Sequence, residues 1–403
     1  MGRLWRRTRG RGLAVAALAG AVLMLSAWPG RHAFAPGGAA AQERAPVSEA
    51  AMAEYRRKLA AYEEAFGRFD AVAKVYWTKI AEKRRARFAK RRNHQEIGLE
   101  DYVLTQPPLY TGPPRPVDPS QPGKPPARPI PVVADFLRNA REHFDFVPQR
   151  PASELEYKRI YAAVARAAGL TRDQVVRVYG FESGGNGGYD VQAGLERGGG
   201  KGRAISTALG YNQLLHTNSV ELVAEQGDDF LKALRGKAAR MSGAERQAME
   251  HKIGVLQRMV HFTRTVPDTW SEHEKLAATP RGLGVHAVTL DIDIGPLAQT
   301  QKLLTSVIFA RRKGVTRTLT AAELEMMNLT GDGNGFDMVT MPDDLREKVP
   351  TSNFFQRLGY ERNPVAIRNN TVKALLRATD QRMDQEARMP GARDMADAYD
   401  AAR

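Results

Sequence analysis

The chain of 403 residues contains no cysteine. This absence excludes a disulfide framework, a zinc site with thiolate ligands and acylation as a lipoprotein, so packing alone must hold the fold together. The sequence also lacks a His-Glu-x-x-His motif, a Gly-x-Ser-x-Gly elbow and a phosphate-binding loop. We therefore expect no metal and no cofactor. After the N-terminal leader, no segment of the sequence is predicted to cross a membrane.

The leader, residues 1–41, is typical of a secretory signal peptide. Residues 1–12 carry five arginines and no acidic residue, residues 13–28 are almost entirely apolar, and three alanines at 39–41 offer a cleavage site. We expect export to the periplasm with cleavage of the leader. The alternative is an uncleaved inner-membrane anchor, although the apolar run is shorter than the roughly 20 residues that usually span a bilayer.

The chain is strongly basic, with a formal net charge of +15. Six arginines and no lysine, aspartate or glutamate lie in residues 1–41, so 15 minus 6 leaves +9 for residues 42–403. A basic exported protein favours anionic envelope polymers or lipid surfaces. For the same reason of location, we do not expect a nucleic-acid partner.

Residues 42–100 are predicted to form an amphipathic helical arm. No proline occurs between 48 and 95, and the stretch ends in a basic run at 83–92. Three interpretations remain open: a coiled-coil arm, a helix packed against the main domain, or a basic helix that binds an anionic surface or another envelope protein. Apolar residues recur at helical spacing, namely Tyr55, Leu59, Tyr62, Phe66, Phe69, Tyr76 and Ile80.

A proline-rich linker follows at residues 101–132. Proline is so frequent between 107 and 131 that neither a helix nor a sheet can form there. The segment is either a semi-rigid spacer or a strap held against the main domain that follows it.

The main domain is predicted to span residues 133–390 and to be mainly α-helical. Residues 189–210 resemble a small β-hairpin with a glycine-rich turn, and residues 391–403 are expected to be a frayed tail. The expected helices are 134–144, 153–168, 171–181, 213–226, 228–240, 243–264, 297–313, 321–329 and 365–386.

Glu182 is the first candidate for chemistry, because it ends an apolar, helix-like run and is followed by Ser183 and glycines. An apolar surrounding destabilises the ionised carboxylate, raises its pKa and so suits a general acid. A second segment, Gly-Tyr-Asn-Gln-Leu-Leu at 210–215, and a third, Met-Asn-Leu-Thr-Gly-Asp-Gly-Asn at 327–334, follow in the sequence.

Together these segments resemble the lysozyme-like domain of lytic transglycosylases. That family has Glu-Ser, then Gly-Leu-Met-Gln-Leu, then Ala-Tyr-Asn-Ala-Gly-x-Gly-Asn. The present chain has a longer gap between the first two segments, a long insertion around 228–320, and Met327 in place of tyrosine. The resemblance implies a lysozyme-like fold over residues 150–375.

The resemblance also implies a reaction and a site. Glu182 would act as acid and then base in cleaving peptidoglycan glycan strands, with formation of a 1,6-anhydro ring. The residues that would bind the glycan are Ser183, Tyr189, Tyr211, Gln213, Asn328 and Tyr360. From the residues alone, Tyr189 and Tyr211 could equally belong to the core, Asn328 could cap a helix, and Asp190 or Glu196 could serve a hydrolase as a second carboxylate.

Two rivals to the enzyme remain open. The first is a catalytically inactive protein that binds peptidoglycan or serves as a scaffold in the envelope. The second is an interaction protein whose working part is the arm at 48–95.

Overall fold

A computed structural model of the chain describes residues 47–120, 129–195 and 202–402. The predicted signal peptide lies outside these residues. The structure is mainly helical, with 67% helix and 2% strand, as the sequence predicts. Among the described residues, no helix combines the length and the apolar character that crossing a bilayer requires.

Helices of very different length succeed one another along the chain. The first eight are α1 Glu49–Arg92, α2 Val133–Phe144, α3 Glu154–Ala167, α4 Arg172–Ser183, α5 His216–Ala238, α6 Gly243–Thr263, α7 Trp270–Ala277 and α8 Pro280–His286. The others are α9 Gly295–Arg312, α10 Ala321–Thr330, α11 Asp332–Val339, α12 Asp343–Arg346, α13 Arg357–Glu361, α14 Pro364–Arg368, α15 Val372–Glu386 and α16 Pro390–Ala401. Short 3-10 turns occur at Leu99–Asp101, Ala287–Leu290 and Thr351–Phe354.

The chain divides into two compact units. Among the described residues, the first contains 130–341 and 376–402, and the second contains 47–120, Pro129 and 342–375. The start of the first unit lies close to the predicted domain boundary at 133. The predicted domain at 133–390 is nevertheless interrupted, because residues 342–375 group with the arm and the linker.

Two helices of the first unit begin at side-chain caps that the sequence predicts. Ser153 accepts a hydrogen bond from the Glu156 amide at 3.1 Å, and Thr171 accepts one from the Gln174 amide at 3.2 Å. Such caps satisfy amides that have no partner inside the helix. The predicted starts of α3 and α4 are therefore confirmed.

Two predicted elements of the first unit are wrong. The break expected at residue 227 does not exist, because Gly227 lies inside the continuous helix α5, where a Cβ would overlap Val260 of α6. Glycine there allows close helix packing. The tail is not frayed either: it forms α16, whose side chains Met395 and Ala392 are fully buried in the contact with α3 and α4.

The predicted β-hairpin at 189–210 is not confirmed. The described part of this segment forms single antiparallel bridges, Gln192 with Leu209 and Leu195 with Gly202, in place of strands. The turn at 196–201 lies outside the described residues. Another difference concerns the helix expected at 365–386, which is two helices, α14 and α15, separated at residues 369–371.

In the second unit, the long helix α1 buries a stripe of its C-terminal half. Arg84 and Arg87 lie on that stripe and are only 7% and 0% exposed. Arg84 donates to the carbonyl oxygen of Phe355 at 2.7 Å, and Arg87 donates to that of Asp101 at 3.0 Å. Two of the basic residues at 83–92 therefore face inward, which favours the packed-helix interpretation over a surface-binding basic helix.

Part of the proline-rich segment packs on α1, which neither of the two interpretations from the sequence predicted. The ring of Tyr110 lies 5.3 Å from that of Phe69, 5.5 Å from that of Phe66 and 6.1 Å from that of Tyr62. Aromatic rings at these separations attract each other. This part of the predicted linker is therefore held against the arm.

Candidate active site

Glu182 occupies the last turn of α4. The helix ends because Gly184 adopts a left-handed conformation with a φ of 64°, which glycine tolerates without strain. The carboxyl thus lies near the negative end of the helix dipole, which disfavours the ionised form of the carboxyl. The residue as a whole is half-buried, whereas its carboxyl group is surrounded by enough protein that loss of hydration is the main influence on its pKa.

The Glu182 carboxyl accepts a hydrogen bond from Asn328. The Nδ2 of Asn328 lies 2.8 Å from Oε1 of Glu182, although 146 residues separate the two in the sequence. Asn328 is in the last turn of α10, which Thr320 and Glu323 cap at the start and which ends at Gly331 with a φ of 80°. The structure therefore joins the first and the third predicted segments.

Glu325 is a second carboxyl beside Glu182. It precedes Asn328 by one turn of α10, and it is only 2% exposed. Burial, followed by the nearby Glu182 charge, raises the pKa of Glu325 well above its usual range. Glu325 is not among the site residues predicted from the sequence. The sequence did contain a signal for it: Glu325 and Asn328 are three positions apart, and such positions face the same side of a helix.

Two cations lie close to both carboxyls. Lys302 of α9 and Arg382 of α15 each favour the ionised forms of Glu182 and Glu325. Burial outweighs them at Glu182, so the pKa of that carboxyl is raised above 4.5. Such a carboxyl keeps its proton at a higher pH than an exposed glutamate does.

Lys302 also connects the second segment to the acid. Its Nζ donates to the carbonyl oxygen of Asn212 at 2.5 Å and lies 3.5 Å from that of Gln213. The Gln213 backbone has a φ of 44°, an uncommon conformation for a residue with a side chain. Its Nε2 donates to the carbonyl oxygen of Gly210 at 2.8 Å. Gln213 is partly exposed, and its amide shapes the loop.

Ser183 and Tyr189 have mainly structural contacts. The Ser183 hydroxyl donates to the Tyr179 carbonyl oxygen at 2.6 Å, within the same helix. The Tyr189 ring stacks on Tyr157 with centroids 4.8 Å apart, and the residue is 9% exposed. Arg150 lies over the Tyr189 ring at 5.3 Å from its centroid.

Tyr211 is a core residue, so its assignment as a glycan-binding residue is wrong. It is 0% exposed, and the rings of Tyr157, Tyr161 and Tyr179 surround it with centroids 4.8 to 5.4 Å away. Its hydroxyl donates to Oε1 of Glu154 at 2.5 Å. The physical reason is the tight turn that begins at Gly210, which directs this ring inward.

Tyr360 belongs to the second unit. It is 1% exposed there, and its ring lies 5.7 Å from Trp77 and 6.0 Å from Phe355. The structure therefore gives Tyr360 a place in a hydrophobic core, and its assignment to the site is wrong. A tyrosine late in the sequence is too weak a signal to locate such a residue.

Of the two acids considered for a hydrolase, the structure describes only Asp190. Asp190 accepts a hydrogen bond from Arg150 at 2.9 Å, and Glu196 lies outside the described residues. Within residues 47–120, 129–195 and 202–402, no group of three or more histidines and acidic residues is arranged to hold a metal ion.

Comparisons with known proteins add no relative. No protein-family model, no curated protein and no solved structure matches this chain. A function therefore has to be inferred from the chemistry of the site.

Proposed function

We propose that this chain is a periplasmic peptidoglycan lytic transglycosylase. It would cleave the bond between N-acetylmuramic acid and N-acetylglucosamine and leave a 1,6-anhydro ring on the muramic acid. The proposal includes a lysozyme-like domain in the first unit and requires no cofactor. Its partners are peptidoglycan glycan strands.

The observation that carries the proposal is the hydrogen bond from Asn328 to Glu182. Two segments that resemble parts of one family in sequence meet at 2.8 Å. Lys302 brings the second segment to the same place through its contact with Asn212. Coincidence in sequence explains one such segment far more easily than two segments joined by a hydrogen bond.

The chemistry follows from the raised pKa of Glu182. The protonated carboxyl donates its proton to the glycosidic oxygen as the bond to C1 of the muramic acid breaks. The oxygen of the C6 hydroxyl then bonds to C1, and its proton passes to Glu182. The proton that left the enzyme is thereby restored, and no water is consumed. Asn328 stabilises the carboxylate that exists between the two transfers.

The test is digestion of purified peptidoglycan, with the product masses measured. We expect anhydro-muropeptides from the wild type and a loss of about 10²- to 10⁴-fold in rate for Glu182→Gln. Glu245→Gln is the matched control, because Glu245 is exposed on α6 and its loss should leave the rate unchanged. Products with reducing ends would indicate a hydrolase instead.

The alternative is a catalytically inactive protein that binds peptidoglycan or acts as an envelope scaffold. Met327 favours it, because this side chain stands where the family has a tyrosine and is only 1% exposed. It cannot stack on a sugar ring. Binding of the folded wild type to peptidoglycan without release of any muropeptide would support this alternative and rule out the enzyme.

A further inference from the structure

The buried carboxyl of Glu325 has an oxygen without a partner. Its Oε2 is enclosed by protein and receives no hydrogen bond. In an ionised carboxylate, this oxygen loses its hydration without gaining a hydrogen bond, which destabilises the charged form. A protonated carboxyl avoids that loss, but its O–H needs an acceptor nearby.

Glu182 is the acidic neighbour that can supply this acceptor. The charge of Glu182 raises the pKa of Glu325, and both carboxyls interact with the amide of Asn328. The charged groups that face them are Lys302 from α9 and Arg382 from α15. Arg382 also lies 3.7 Å from the Glu386 carboxylate, which reduces its effect on the pair.

We propose that Glu325 is a positioning residue for Glu182, and that the two carboxyls hold one proton in common. The proposal concerns the site of the proposed transglycosylase and, for its catalytic consequence, rests on that function. It does not require Glu325 to touch the glycan, because this side chain is buried whereas Glu182 is partly exposed.

The shared proton gives each part of the site a role. In the resting state the pair carries one proton and one negative charge. Donation by Glu182 to the glycosidic oxygen leaves two carboxylates side by side, and Lys302 and Arg382 offset that excess of charge. Mutual repulsion of the carboxylates then favours recovery of the proton from the C6 hydroxyl. Atoms and charge balance over the cycle.

A titration of the carboxyl carbons tests the pair directly. The full chain is labelled with ¹³C at the glutamate carboxyls, and NMR spectra are recorded against pH for wild type, Glu182→Gln and Glu325→Gln. In the wild type we expect both carboxyl carbons to report two common steps. In each variant, the remaining carboxyl should titrate in one step, about one pH unit or more below the upper step of the pair.

Asp332→Asn is the matched control. Asp332 is an acid of the same unit that is hydrogen-bonded to Ser306 at 2.6 Å, and both steps of the pair should persist without it. The proposal is overturned if each carboxyl titrates in a single step at the same pH whether or not the other is present. If Glu325→Gln does not fold, the titration of Glu325 in Glu182→Gln decides alone.

A rate measurement separates this proposal from the proposed function. In Glu325→Gln, the alkaline limb of the pH profile for glycan cleavage should move down by about one pH unit, with KM unchanged. An unchanged profile would refute the role of Glu325 and leave the transglycosylase standing. Coupled titration in a wild type that cleaves no glycan would establish the pair and refute the transglycosylase.

Discussion

The substitution Asn328→Ala tests the contact on which the candidate site depends. It removes the Nδ2 donor that lies 2.8 Å from Oε1 of Glu182. A hydrogen bond to a charged group contributes about 1.5–3 kcal/mol, and one pKa unit corresponds to about 1.4 kcal/mol. The pKa of Glu182 should therefore rise by about one to two units in the variant.

The effect on stability depends on pH in a defined direction. The pKa of Glu182 is raised in the fold above 4.5, so the fold loses stability as pH rises from 4.5 through the raised pKa. Removing Asn328 raises the pKa further and enlarges this loss. Below about pH 4.5 the Glu182 carboxyl is protonated in the wild type and in Asn328→Ala. The substitution should then lower the free energy of unfolding by much less.

Denaturant unfolding over a pH series measures the difference. Asn139→Ala is the control, because its Nδ2 donates to a neutral carbonyl oxygen, that of Asp135, at 2.8 Å. Its cost should be nearly the same at every pH. If Asn328→Ala also costs the same free energy at every pH, the hydrogen bond from Asn328 does not stabilise the ionised carboxylate of Glu182.

Three further predictions concern packing and burial. Gly227→Ala should lower the free energy of unfolding by about 1–3 kcal/mol, because the new Cβ would overlap a valine side chain of α6. On the same helix, the Cβ of Gly236→Ala meets no atom within 4 Å, so this substitution should raise the free energy of unfolding by up to about 1 kcal/mol. Urea unfolding measures both changes. Met395 is 0% exposed and Met389 is 37% exposed, so Met395→Ala should lower the free energy of unfolding by about 2–5 kcal/mol and Met389→Ala by much less. Equal losses would mean that α16 does not hold the first unit together. Burial lowers the pKa of His286 from 6.5 to about 3, so the fold loses stability as pH falls from 6.5 towards 3. At about pH 5, the wild type should take up about one proton more on unfolding than His286→Gln does. Calorimetry in buffers of different ionisation heat measures this proton uptake.

Local patterns predict the helices well where the deciding forces are local. The caps at Ser153 and Thr171, the absence of proline from α1 and the glycine that ends α4 all act within a few residues. Errors occur where a distant contact decides. The local pattern predicts a break at Gly227, because the residues of α6 that pack on this glycine are distant in the sequence. It predicts a frayed tail for the same reason, because the tail packs on α3 and α4, which are also distant in the sequence.

The sequence by itself determined that Glu182 lies at the end of an apolar helical run before Ser183 and glycines, and it marked Gln213 and Asn328 as candidates. Only the tertiary structure decided which groups surround the acid. Glu325, Lys302 and Arg382 lie far from Glu182 along the chain, and their effect on its proton depends on distance and burial. Tyr211 and Tyr360 lie in the core for the same reason, since distant partners enclose them. A residue type shows what chemistry is available, whereas the fold determines the dielectric surroundings and neighbours that control it.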